Sequence, residues 1–123
     1  MDRKRQEEST PDKRRDGLSG LSKKRLDELV EEATVDAHDE SEQAMGFFAV
    51  IEDELRLPFE TEMLGTTVTV ERIDVTEDDR LVAVCRKGKA HQRISLADLP
   101  LPTPLPQGAE WIVAYRYWRE GTF

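Results

Sequence analysis

The stretch EEATVDAHDESEQAMG, residues 31–46, carries six carboxylates and neither lysine nor arginine. It also has to finish one helix and begin another. Upstream of it, Leu26, Leu29, Val30, Ala33 and Ala37 fall at i, i+3, i+4, i+7 and i+11, which is one helical face. This spacing predicts a helix over residues 22–37 with Ser22 as its N-cap. Downstream, Ala44, Phe47, Phe48, Ile51 and Leu55 repeat the pattern, which predicts a second helix over residues 41–55. Asp39 or Ser41 can cap it, and Glu42 in its first turn suits the positive end of the helix dipole. The connection is short, so the two helices should form an antiparallel hairpin, closed by Pro58. Gly46 stands mid-helix, where glycine costs stability, and is expected to admit close approach of another segment.

Beyond Pro58 the period changes. TTVTVERIDV (66–75), RLVAVCRK (80–87) and AHQRISL (90–96) are β-branched and partly alternating, with TEDD (76–79) and KGK (87–89) as turn signals between them. A meander of three strands, with an extra strand at 59–63, makes a small antiparallel sheet or partial barrel. LPLPTPLP (99–106) carries four prolines and reads as an extended connector. After Gly108, Trp111, Ala114, Tyr115 and Trp118 again share a helical face, giving a short C-terminal aromatic helix expected to pack as core. The fold class is therefore α+β.

Charge divides the chain. Residues 1–20 hold six bases and five acids and almost no apolar residue, so they read as a disordered charged tail, with a single domain over 21–123. Residues 27–62 hold thirteen acids and one base, Arg56, while residues 63–123 are roughly neutral. The formal net charge is −8. Phosphate contacts need lysine and arginine, so no nucleic-acid partner is expected. No apolar run is long enough to span a membrane, and the charged N-terminus argues against a secretory signal. The lone Cys85 can form no internal disulfide, which fits a reducing cytoplasm. A monomer is expected.

An acidic run is more often simply a solvated face, but crowded carboxylates can also gather a counter-ion. A turn lets several of them point at one spot, and an oxygen-only set suits Ca²⁺. Cys85, His38 and His91 are too far apart in sequence to suggest zinc. The EF-hand pattern is absent: DVTEDDRLVAVC (74–85) has Asp79 where glycine belongs and Cys85 where glutamate belongs, and DAHDESEQAMGF (36–47) has Ser41 at the glycine position and Phe47 at the glutamate position. Glu42 and Glu52 lie about 15 Å apart along a helix, so they cannot share an ion. Two centres are therefore expected: Asp36, Asp39, Glu40 and Glu42 at the hairpin turn, and Glu52 and Asp53 with Glu60 or Glu62. Against the second stands a plain alternative, surface salt bridges from Glu52 and Asp53 to Lys24 and Arg25 across the hairpin.

The ordered set SEQAMGFF, LPF, LGTTVTVERID, DLPLPTP and GAEWIVAYR, spread over residues 26–118, resembles the CcbP-like family of small cyanobacterial-type calcium-binding proteins. The resemblance implies Ca²⁺ binding without an EF-hand, through an acidic surface, in a cytoplasmic calcium buffer or sensor. The acids matching the family pattern best are Asp36, Glu40, Glu42 and Glu52.

Two other functions are open to the residues. Cys85 and His91 would face each other across a turn centred on Gly88, and a Cys/His pair can make a nucleophile. Cysteine in LVAVCRK is more simply a small core residue, and no glycine-rich pocket loop accompanies it, so no enzyme is expected. The acidic lobe could instead dock a basic protein partner without metal.

Overall fold

A computed structural model describes residues 21–120, so the charged stretch 1–20 lies outside the described residues. Helix α1 runs Lys23–Ala33 behind the Ser22 cap, whose hydroxyl accepts the Arg25 N–H at 3.1 Å. It stops earlier than the periodicity predicts. Thr34 turns its hydroxyl back onto the Val30 carbonyl at 2.7 Å, and Asp36 takes the left-handed conformation at φ 65°, so Ala37 falls outside the helix. Helix α2 spans Glu40–Glu54 with Asp39 as N-cap, and buries Ala44, Phe47 and Ile51. Phe48 is only half-buried at the core's edge.

Strands β1 (Phe59–Met63), β2 (Thr66–Val75), β3 (Leu81–Lys87) and β4 (Ala90–Ser95) form one antiparallel sheet in the order β1-β2-β3-β4. The expected extra strand is present, and the sheet is open, with β1 and β4 as its edges. A register shift between Val70 and Arg72 places a bulge at Glu71. Helix α3, Glu110–Glu120, follows the proline-rich connector.

The helices cover one face of the sheet. Val70, Ile73, Leu81, Ala83 and Cys85 meet Leu26 and Leu29 of α1, Phe47 and Ile51 of α2, and Trp111, Ile112 and Tyr115 of α3 in one core. Helix α1 lies against α3 more extensively than against α2, so the hairpin is wedged open by the aromatic helix. Tyr117 fastens α3 to α1 by donating its hydroxyl to Asp27 Oδ1 at 2.6 Å. Tyr115 is fully buried, and its hydroxyl accepts the Leu81 N–H at 3.2 Å. Arg116 gathers the chain after β4 by donating to the Leu96 and Leu99 carbonyls, and burial lowers its affinity for a proton.

Strand β3 is buried on both faces from Leu81 to Cys85. On the outer face Val84 stands between Arg72 and Arg93, and Val82 between Asp74 and Ser95. Arg93 reaches from β4 across β3 to Asp74 on β2 at 2.7 Å. The arginine stem thus roofs the two valines while its charge stays paired.

Gly46 meets the expectation set for it. A Cβ there would collide with the Ala33 carbonyl oxygen at the end of α1. The Gly46→Ala chain is expected to lose about 1–3 kcal/mol, because backbone cannot move aside as a side chain does. Urea denaturation checks this, and a variant as stable as the parent contradicts the close crossing.

Candidate metal centre

The acidic turn is held by its own acids. Asp39 takes an extended backbone, and its Oδ1 accepts the Glu42 N–H at 2.8 Å. Glu42 returns the contact, its Oε1 accepting the His38 N–H at 2.5 Å. The pair works as a reciprocal cap and satisfies N–H groups that a helix start leaves bare. Asp39, Glu40 and Glu42 also sit at the positive end of α2, which offsets part of their mutual repulsion. The Asp36 and Glu40 side chains make no hydrogen bond or ion pair among the described residues, and all four acids are exposed.

The fold brings to this turn acids that the sequence reading left elsewhere. A groove of about 300 Å³ is lined by Glu40, Ser41 and Ala44 from α2, Asp78, Asp79 and Arg80 from the β2–β3 turn, and Trp118 and Arg119 from α3. The β2–β3 turn is tightly made. Thr76 N–H donates to the Arg80 carbonyl at 2.9 Å, Arg80 N–H to the Thr76 hydroxyl at 3.1 Å, and Asp79 N–H to the Thr76 carbonyl at 3.0 Å. Asp79 itself is left-handed at φ 64°. Asp78 accepts the Thr76 hydroxyl on Oδ1, and its Oδ2 lies 3.4 Å from Arg80 Nε. Trp118 ties the groove to α2 by donating its indole N–H to Gln43 Oε1 at 3.0 Å.

The sequence shows TEDD only as a turn and as a failed EF-hand start. No local signal places it beside Glu40, because helix α2 and two strands intervene. The donors are oxygen alone, which fits a hard cation such as Ca²⁺. Among the described residues, however, no group of three or more Asp, Glu, His or Cys side chains converges closely enough to hold an ion as they stand. Glu40, Asp78 and Asp79 share the groove's lining without forming such a group.

The second expected centre is dispersed. Glu52 and Asp53 are exposed near the C-terminal end of α2. Glu60 and Glu62 share one face of edge strand β1 and line a different groove with Thr61, Thr67 and Pro100–Thr103, to which neither Glu52 nor Asp53 contributes. The alternative salt bridges are not formed either: Lys23 pairs with Asp27 at 3.0 Å and Arg25 with Glu28 at 3.3 Å, all within α1. Glu52, Asp53 and Glu54 thus crowd the negative end of α2 with no basic residue in that turn. That arrangement is electrostatically unfavourable.

Cys85 and His91 do not meet as the hairpin reading supposed. Cys85 pairs in register with Gln92, and His91 with Arg86, one residue out of step, so the two side chains take opposite faces. The Cys85 thiol faces the core, where burial pushes its pKa up, while His91 Nε2 lies 3.2 Å from Glu71 on the outer face.

Several carboxyls are held below their ordinary range: Asp78 by the Thr76 hydroxyl and then Arg80, Asp74 by the Val75 N–H and then Arg93, Glu71 by Arg86. A depressed folded pKa means that the unfolded chain binds more protons in the window between the two values. Their stabilisation is therefore whole above the ordinary carboxylate range of about 4 and disappears as pH falls through the depressed values. Melting temperature should fall on acidification below about pH 4.5, and less steeply for Asp74→Asn. Parallel slopes would remove Asp74 from the set.

A family model described as calcium binding, of the CcbP type, matches residues 27–119. The crystal structure of Anabaena CcbP superposes with a TM-score of 0.62 at 19% identity, covering 83% of this chain and 95% of that one. A calcium-binding protein in its calcium-binding form superposes with a TM-score of 0.66 at 21% identity, covering 87% and 98%. No curated protein matches the chain. At these identities the two structures establish a shared fold.

Proposed function

Because this chain belongs to the CcbP family of calcium-binding proteins, we propose that it serves as a monomeric cytoplasmic calcium buffer, with its principal site where the acidic turn meets the β2–β3 turn. Its family is one of calcium binding and not an enzyme class. The reading is supported by the groove that Glu40, Asp78 and Asp79 line together. Asp36 and Glu40 are free to turn toward an ion, and Asp39 and Glu42 each keep one oxygen beyond the one used in capping. Bound there, Ca²⁺ would supply positive charge and open coordination positions for these oxygens. The protein's part is to hold the two turns at a fixed separation through the core beneath them. Glu52 and Asp53 are proposed as a second, weaker site, since a cation there relieves three successive carboxylates at the negative end of α2.

A buffer is favoured over a sensor by what the fold already satisfies. The core is closed and the turn capped by side chains, so an ion has little apolar surface to expose. We place the binding domain at residues 21–123, with no nucleic-acid or membrane partner. Among the described residues no helix is long and apolar enough to cross a membrane.

Open carboxylate sites of this kind are expected to bind with dissociation constants of about micromolar to millimolar. Calcium at 100 times Kd should then add about 2.7 kcal/mol of stability by mass action. Isothermal titration of the full chain, followed by tryptophan fluorescence and a thermal melt, tests this. Heat, fluorescence and melting temperature all unmoved by calcium would favour a metal-free acidic docking module instead. Asp36→Asn/Glu40→Gln/Glu42→Gln separates the turn from the Glu52 and Asp53 site, because the amides keep the acceptor oxygen that caps α2.

A further inference from the structure

One hairpin of this acidic chain is basic throughout. Residues 80–97 carry five bases, Arg80, Arg86, Lys87, Lys89 and Arg93, and no acid, although the formal net charge is −8. Strands β3 and β4 form that hairpin, and its tip shares one end of the antiparallel sheet with the β1–β2 turn, Leu64–Gly65. Leu64 is an unusual choice there. It holds φ 53° with Gly65 at 78°, as in a type I′ turn, where Asn or Asp normally takes the first position. A leucine in that conformation is strained, and this one is also fully exposed. Neither property helps the chain to fold. Near both turns lies a groove of about 340 Å³, lined by Met63, Leu64, Val68, Cys85, Lys87 and His91 among others, with no helix residue in its lining. Met63 and Val68 are half-buried against the core, so the groove's floor is a margin of core that the helices leave uncovered. Arg86 and His91 are taken up by Glu71, but the Lys87 and Lys89 side chains make no hydrogen bond or ion pair among the described residues. Lysines at a sheet's rim deter edge-to-edge pairing, whereas an exposed leucine at the same rim does the opposite.

We propose that this end of the sheet is a docking site for an extended acidic segment of a partner protein, which sets an apolar side chain against Met63, Val68 and Leu64 and its carboxylates beside Lys87 and Lys89. The site is independent of where calcium binds. Charge complementarity selects the partner: the two lysines are unpaired, and no acid of this chain stands in their hairpin. Strand β4 is an edge of the sheet, and among the described residues its backbone bonds only to β3, so it offers main-chain partners to an extended segment. A short segment meets the basic tip alone, because salt screens charges more than about 8–10 Å away. A large polyanionic surface such as a membrane would also face the thirteen acids of residues 27–62.

The test is fluorescence anisotropy of a short labelled peptide of alternating glutamate and leucine, titrated with the full chain at low and at high salt. The parent should bind it saturably, more weakly at high salt, and should leave a glutamate–serine peptide and a lysine–leucine peptide unbound. Leu64→Asn should bind at least about tenfold more weakly, from the lost apolar burial. Its melting temperature should not fall, since Asn-Gly suits the turn better. Lys87→Gln/Lys89→Gln should lose about three- to tenfold at low salt and less at high salt. No binding by the parent overturns the proposal. So does Leu64→Asn binding like the parent, or equal binding of the glutamate–serine peptide, since the groove would then play no part. Sedimentation with phosphatidylserine vesicles while the peptide stays free overturns it in favour of a lipid surface.

Discussion

Replacing Glu40, Asp78 and Asp79 together with their amides is expected to weaken calcium binding at least about tenfold, because each charged oxygen removed from a hard-cation site lowers its affinity. The size follows from Coulomb attraction. Each carboxylate a few ångströms from a divalent ion contributes about 1 kcal/mol even in a water-like dielectric. The fold should survive. Asn at 78 still offers Thr76 an acceptor, and the β2–β3 turn is held by backbone. The Glu40 side chain makes no hydrogen bond or ion pair among the described residues, so its amide removes no internal contact. Titration calorimetry and a thermal melt of the same sample read the two effects apart. An affinity equal to the parent's in a fully folded variant places the calcium elsewhere, and Glu52 and Asp53 become the first place to look.

Phe47→Ala should produce the largest loss of stability. Phe47 is fully buried. Its ring meets Tyr115 edge-on at 5.7 Å between centroids and Trp118 at 5.3 Å. Truncating such a ring typically costs about 3–5 kcal/mol, and in a domain of about 100 residues each kcal/mol lowers the melting temperature by about 4–8 °C. The same ring links α2, which carries Glu40, to α3, which carries Trp118. Calcium response and fold should therefore fail together on heating. Urea denaturation measures the loss, and a value below about 1.5 kcal/mol would mean that α2 is held mainly by Ala44 and Ile51.

The contrast between these two substitutions shows what could be read from residues in a row. Phe47 is visible at once: its spacing with Ala44 and Ile51 marks the buried face of a helix, and the structure buries all three. Gly46 was legible too, since a glycine mid-helix asks for a close neighbour and Ala33 supplies one. The end of α1 was less so, because the apolar spacing runs on to Ala37 while Thr34 and Asp36 turn the backbone away. Cys85 and His91 failed by a single register step, which in a strand exchanges one face for the other.

From order and spacing alone come the three helices, the four strands, the aromatic core and an acidic turn with oxygen donors only. Each of these depends on a period of two or 3.6 residues, and a period is local. Packing added the rest: Asp78, Asp79 and Arg80 at the mouth of the Glu40 groove, Glu52 and Asp53 left apart from Glu60 and Glu62, and Arg93 laid over Val82 and Val84. Those neighbours depend on the angle at which α2 and α3 cross the sheet. That angle is settled by how the side chains of Phe47, Tyr115 and Trp118 fill space together, which no single element encodes.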